Sequence, residues 1–347
     1  MKNLKYGIGI DVAKANLDVC LSVISEDQKV KIIASRKFEN NLTSIKAFEA
    51  WASKHCKESL PVVFLMEATG IYYEQLAWYL FDRGKTVVVV LPNKAKKYKE
   101  SLGLRSKTDA IDAKGLAQMS CEQHFKPWQP ISKNIYQIRL LTRQIERLNR
   151  AITQFKNQLS TLSFGMYRDK TIEKMMDKNI TLLEKQKSEL EEKIRDIVEK
   201  DAILKKQFEN ICKIKGLGIC SLAVIVAETN GFALMENQSQ LVSYAGYDVI
   251  ENSSGTRIGK TKISKKGNGH IRKALHMPAL NMVRYKQSPF VQLYDRVYSR
   301  TNIKMKGYTA IQKKLLVIIY TLWKRGDAYN PSFINTSFDV KRELSFV

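Results

Sequence analysis

The chain has 347 residues, 44% of them hydrophobic, with 58 Lys and Arg against 34 Asp and Glu and a formal charge of +24. That is enough apolar material for a sizeable core spread over two or three domains, and it excludes a disordered chain. An excess of positive charge on this scale points to a polyanionic partner, nucleic acid first, because releasing counterions from phosphates drives such binding.

The opening stretch MKNLKYGIGIDVAK has a very short apolar run, cut by Asp11, which argues against a signal peptide. The late run LLVIIYTLW (315–323) falls well short of the roughly 20 residues needed to cross a bilayer. A soluble, cytoplasmic protein is expected. Cys20, Cys56, Cys121, Cys212 and Cys220 form no CxxC pair and make no zinc-finger spacing with the four histidines, so reduced structural thiols are expected.

Up to residue 130 strand and helix signals alternate. YGIGIDVA, PVVFLMEA and KTVVVVLP are buried β runs, and the amphipathic YYEQLAWYLFDRG lies between the last two, stopped by Gly84. This predicts an α/β domain with part of its sheet parallel. KTDAIDAKGLAQ (107–118) then opens a helix with Asp109 and Asp112 in its first turn and Thr108 or Ser106 as its cap. From 131 to 205 a coiled-coil pattern takes over. Ile138, Leu141, Ile145, Leu148, Ile152, Phe155, Leu159 and Leu162 recur at alternating spacings of three and four. SFGMYRD interrupts, and a second stripe runs from Ile172 to Ile197, predicting an antiparallel helical arm that either packs on its own chain or joins two subunits.

A third region, 206–347, carries the basic surplus. Between Ser254 and Arg325 stand 17 Lys or Arg against one acid, Asp295. It opens with ICKIKGLGICSLAVIVAE, whose Gly216-Leu217-Gly218 turn has the form of a helix-hairpin-helix. That turn either brings backbone amides and Lys215 to a phosphate or is a plain helix-helix turn with a capping glycine. The cluster NSSGT presents hydroxyls among Arg257, Lys260, Lys262, Lys265, Lys266 and Arg272, a phosphate-binding loop or a site for a serine nucleophile. Further on, Tyr285, Phe290, Tyr294, Tyr298 and Tyr308 either stack on unpaired bases or form a core stripe.

The acids of the first region carry the chemistry. Alone, Asp109 and Asp112 are accounted for by the helix dipole. Asp11 lies amid apolar β residues, where an unpaired carboxylate is costly, and Glu67 ends a strand at the sheet edge where ligands collect. Residues three apart share a helix face, so two helix acids can meet two strand acids. Four such carboxylates repel one another unless cations sit between them, and a pair of Mg2+ ions suits an all-oxygen set acting on a phosphodiester. Asp18, in the first hairpin, is a competing acid expected beyond the β run and exposed.

An acid on the first strand, one on a later strand and two on a helix resembles the RuvC-like branch of the ribonuclease-H-like nucleases. KTDAIDAKGLAQ and FLMEATGIYYEQLAWYL resemble the N-terminal domain of DEDD-type transposases of the insertion-sequence-110 family. YAG, SSG and ISKKGNGHIRKAL resemble that family's C-terminal transposase domain, with Lys215 and Leu217 departing from its glycine-turn pattern. The resemblance covers both ends of the chain and leaves the arm and the last twenty or so residues to pattern alone. It implies a DNA recombinase in which Ser254 forms a covalent phosphoserine while Asp11, Glu67, Asp109 and Asp112 bind Mg2+ near the same phosphate. Ser253 leaves that assignment open by one residue. It further implies double-stranded target and donor DNA as partners and a structured guide (bridge) RNA that reads sequence by base pairing. A cytoplasmic, nucleoid-associated location is expected as well, and the coiled-coil pattern makes a homo-oligomer, dimer or tetramer, the expected assembly.

Three other readings remain. A Holliday-junction-type nuclease would need only the four acids. An actin-like sugar kinase shares the glycine-flanked first-strand aspartate, but the chain has no clear second glycine-rich phosphate loop. A non-catalytic nucleic-acid binder would leave the carboxylates without a purpose.

Overall fold

The computed structural model describes residues 2–57, 59–68, 70–103, 108–233, 235–250 and 262–331, together with the backbone of 253–254 and 257–258. The chain divides into two compact units, 1–130 and 131–347.

The first unit is built on a five-stranded sheet. Its strands are β1 (Asn3–Val12), β2 (Asn16–Ser25), β3 (Val30–Glu39), β4 (Val62–Glu67) and β5 (Thr86–Val90), in the order β3-β2-β1-β4-β5. The first three form an antiparallel meander, while β4 and β5 run parallel to β1. This mixed order is the ribonuclease-H-like arrangement. Three β runs stand where the apolar signals put them, and β2 and β3 complete the sheet.

Alternation along β1 divides the two faces. Tyr6, Ile8, Ile10 and Val12 enter a core with Ile45 and Phe48 of α1 (Leu42–His55) and Leu76, Ala77 and Leu80 of α2 (Glu74–Asp82). Gly7, Gly9 and Asp11 look the other way, toward α4 (Asp109–Glu122). A Cβ on Gly9 would lie under 3 Å from the Ala117 nitrogen and the Ala113 carbonyl, and one on Gly7 would collide with Ala117 and Ser120. The two glycines of GIGID therefore let the α4 backbone lie directly on the strand, and this close approach carries Asp109 and Asp112 toward Asp11. Leu65, Val88 and Val90 continue that face into a core with Leu116 and Met119 of α4 and Ala95 of α3 (Pro92–Ser101).

The second unit is helical. Its two longest helices, α5 (Lys133–Leu162) and α6 (Lys170–Lys200), pack along each other within the chain, started by the side-chain caps Ser132 and Asp169. Ile135, Ile138 and Ile145 of α5, with Ile194 and Val198 of α6, are buried in the unit's main core. At the far turn Phe164, Met166 and Tyr167 are 87%, 90% and 88% exposed.

Helices α7 (Ala202–Cys212), α8 (Ile219–Glu228) and α9 (Gln238–Tyr244) follow, then short strands, then α10 (Gly269–Ala274), α11 (His276–Arg284), α12 (Phe290–Thr301) and α13 (Lys304–Arg325). LLVIIYTLW belongs to α13, where Leu315, Leu316 and Ile319 are fully buried. Among the described residues no helix is long and apolar enough to cross a membrane. Four of the five late aromatics line or flank the core, with Tyr294 packed on Tyr308 at 4.9 Å between ring centres, while Tyr285 is exposed. All five cysteines are free thiols.

Candidate active site

Thr108 caps α4 by accepting a hydrogen bond from the Ile111 amide at 3.3 Å, which sets the first turn and its two acids. Asp11 lies near the end of β1 and Glu67 ends β4, strands that run side by side in parallel. Burial pushes the Asp11 carboxyl up to about 6, and the nearby charges of Asp112, Asp109 and Glu67 add to that rise. Asp11 thus feels all three of the other acids that the sequence singles out.

A cation already stands among them. The Lys99 ammonium, carried on α3 and only 17% exposed, lies 2.8 Å from Asp112 Oδ1 and 3.8 Å from Glu67 Oε2. Helix α3 is held against α4 by buried Ala95 and by the Tyr98 hydroxyl, which donates to Glu122 at 2.5 Å. Among the described residues no group of three or more His, Cys, Asp or Glu side chains is gathered closely enough to hold an ion as it stands. The donors are nonetheless of the chemistry a divalent cation takes: Asp11 feels the charges of Asp112, exposed Asp109 and Glu67, and a lysine ammonium spans Glu67 and Asp112.

Asp18 corrects an expectation. It lies within β2, directly opposite Asp11 in the antiparallel register, and its side chain is 16% exposed and paired with Lys37 at 3.5 Å. A residue opposite Asp11 shares its face of the sheet, so Asp18 flanks the acid group as a carboxylate with its own counter-charge.

In the second unit Ser253–Ser254 (β7) pairs antiparallel with Arg257–Ile258 (β8), setting Ser254 opposite Arg257 in the backbone register. Flanking them in the chain, β6 (Val249–Ile250) pairs with β9 (Lys262–Ile263). The segments bordering β6 and β9 are joined by polar contacts. Ser264 donates its amide to the Asp248 carbonyl at 2.8 Å and its hydroxyl to the Asp248 carboxylate at 2.6 Å. The Lys265 amide reaches Gly246 O at 3.1 Å, and Asn268 N reaches Tyr244 O at 2.7 Å. Gly267 lies so close to the end of α9 that a Cβ would collide with the Tyr244 and Gly246 backbone.

The basic residues have different surroundings. Lys262, Lys265 and Lys266 are exposed. Lys215 is exposed in the turn before α8, its carbonyl accepting from Gln287. Arg272 is half-buried and donates to the Ala245 carbonyl at 2.8 Å, so its guanidinium has a structural partner. Lys260 lies outside the described residues, as do the side chains of Ser254 and Arg257.

Sequence reasoning missed the acids that anchor this block. Glu228, with its side chain 3% exposed, accepts from Arg143 at 2.9 and 3.1 Å and from Asn268 at 2.7 Å. Asn268 also caps α10, so one amide joins the start of that helix to α8. Burial pushes the Glu146 carboxyl up, but hydrogen bonds from Arg150, His270 and Lys273 outweigh it and hold the group at about 2. The only hint in the sequence was the presence of acids at helical spacing beside arginines on α5.

The first unit is thus a ribonuclease-H-like domain with acids at the C-terminal ends of its neighbouring strands β1 and β4, followed in the chain by a basic helical unit. Comparison with known proteins carries this further. A DEDD-type IS110 model, described as a transposase, matches residues 8–163, and a model described as "Transposase IS116/IS110/IS902 family" matches residues 208–295. The chain belongs to the IS110 family of transposases and is an enzyme that acts on DNA.

It is similar over nearly its whole length to two proteins described as pilin gene-inverting proteins. The one from Moraxella bovis is 26% identical over 327 residues, covering 94% of this chain and 98% of the relative. The one from Moraxella lacunata is 27% identical over 330 residues, with the same coverage. Among solved structures, RuvC of Thermus thermophilus aligns with a TM-score of 0.26 and 13% identity over 33% of this chain and 90% of that one. The same protein in complex with a Holliday junction substrate aligns at 0.25 and 15%, with equal coverage.

Proposed function

We propose that this transposase cuts and rejoins DNA by serine chemistry assisted by divalent cations, with a structured RNA supplying sequence recognition. The Ser254 hydroxyl attacks a DNA phosphodiester. A serine-oxygen-to-phosphorus bond forms, one strand oxygen leaves and takes up a proton, and the phosphate is held as a covalent ester. Asp11, Glu67, Asp109 and Asp112 hold the cations. Mg2+ there would supply Lewis-acid stabilisation of the charge that builds on phosphate oxygens.

The observation that carries the reading is the packing of the α4 backbone on Gly7 and Gly9, with Glu67 of a strand and Asp112 of that helix joined by one lysine and their charges felt at Asp11. A structural role alone would not call for that many carboxylates near a half-buried Asp11. The gene-inverting relatives favour recombination over simple hydrolysis. Inversion requires every broken strand to be resealed, and a covalent ester conserves the bond energy that hydrolysis would release.

Exposed Lys215, Lys262, Lys265 and Lys266 suit the DNA and RNA backbones, with Arg257, Lys260 and Arg272 completing the set. The exposed apolar turn of the α5–α6 pair suits a contact with a second subunit, as a coiled-coil dimer or tetramer.

The test is a protein–DNA adduct assay with purified protein, Mg2+ and the element's flanking DNA and RNA. An adduct lost in Ser254→Ala but kept in Ser253→Ala is the expected result. Loss of adduct when the RNA is omitted is expected as well. Free ends without an adduct, unchanged in Ser254→Ala and abolished in Asp11→Ala, would make the protein a nuclease that uses the carboxylates alone.

A further inference from the structure

The observation with most left to explain is Lys99. A lysine that is only 17% exposed and bridges two carboxylates is a fixed counter-charge, yet its four-carbon stem can carry the ammonium away without disturbing the helix that bears it. Helix α3 is anchored independently of that ammonium, through Ala95 in the core and Tyr98 on Glu122. The two acids that Lys99 joins come from different elements, Glu67 from the end of β4 and Asp112 from the first turn of α4. Around it the carboxylates are not gathered for an ion among the described residues.

We propose that Lys99 is a built-in counter-ion that holds the acid group together when no metal is bound and competes with the divalent cation for Glu67 and Asp112. An ammonium and a dication held by the same two carboxylates repel each other, so entry of the ion favours departure of the ammonium. Lys99 therefore sets the cation concentration at which the site fills, and it guards the metal-free protein against mutual repulsion of its acids. This rests on reading Asp11, Glu67, Asp109 and Asp112 as an ion site. In that framework Lys99 is a positioning residue and not a member of the reacting set.

The experiment is a titration of the full-length, metal-free protein with Mn2+, with the free ion followed by electron paramagnetic resonance. Wild type is compared with Lys99→Met, which removes the charge but keeps the stem, and with Lys99→Arg, which keeps the charge. Lys99→Gln serves as a second neutral variant should Lys99→Met fail to fold. The neutral variants should bind Mn2+ about tenfold more tightly than wild type, and Lys99→Arg should stay within about twofold of it. The metal-free neutral variants should also melt below wild type, and Mn2+ should restore them by more than it raises wild type.

Equal or weaker Mn2+ affinity in the neutral variants would overturn the role of Lys99 while leaving the ion site standing. Absence of Mn2+ binding in every variant, or binding undiminished by adding Asp112→Asn to Lys99→Met, would overturn the ion site and this inference together.

Discussion

The two candidate centres of this protein differ in how much of their positioning falls to backbone contact and how much to polar side chains. In the sheet unit, backbone lies against backbone: Gly7 and Gly9 admit α4, and the acids follow from that contact. In the helical unit, polar side chains add to a backbone contact of the same kind at Gly267. The segments that flank Ser254 in the chain are rooted by Ser264 on Asp248 and by Asn268 on Glu228, while Arg143 and Glu146 of α5 hold α8 and α10 through Glu228 and His270. A site set by backbone packing tolerates changes at its surface but not one added methyl group. One set by polar side chains is sensitive to charge and pH.

The largest effect should come from breaking the backbone contact. Gly9→Ala places a Cβ under 3 Å from two α4 backbone atoms, and overpacking of this kind should cost about 3 kcal/mol or more. Denaturant unfolding followed in the first unit should register that loss. Next is Arg143→Met, which leaves Glu228 buried with Asn268 as its remaining side-chain donor. It should destabilise the helical unit by about 2 kcal/mol, read from hydrogen exchange in α5, α8 and α10.

Acidity should then separate the units by sign. Burial and the neighbouring acids raise Asp11 from its ordinary 3.8 to about 6, so its ionised form is disfavoured in the folded state. Its contribution is most favourable below pH 3.8 and is lost as pH rises through about 6. Glu146 is depressed from 4.5 to about 2, so its contribution is full above pH 4.5 and is lost as pH falls toward 2. Acidifying metal-free protein from pH 7 to 5 should therefore protect amides around β1, while further acidification should loosen those around α10. The smallest effect should follow Phe164→Ser with Tyr167→Ser at the exposed turn. Monomer stability should move by no more than about 0.5 kcal/mol, while sedimentation should report a weaker oligomer.

The same contrast explains what could be read from the sequence. Asp11, Glu67, Asp109 and Asp112 stood out because strand ends and helix first turns are local features, and residues three apart share a helix face. The purpose of the GIGID glycines was not legible, because it depends on which helix returns to cover β1. Lys99 was hidden in a lysine-rich stretch whose members look alike until α3 is docked and one of them is turned inward. Asp18 was misjudged because a strand signal does not announce the hairpin register that sets it opposite Asp11. In the helical unit the apolar stripes announced the long helices, but Glu228 and Glu146 meet their partners only after α5, α8 and α10 come together.

The proposed chemistry turns on covalent attachment of a serine of the basic unit to DNA. The direct measurement is mass spectrometry of the proteolysed adduct, locating the residue that carries the nucleotide. The expected result is a nucleotide phosphate on Ser254 in a reaction that also requires Asp11. A modified residue elsewhere, or cleavage with no nucleotide-bearing peptide, would contradict it.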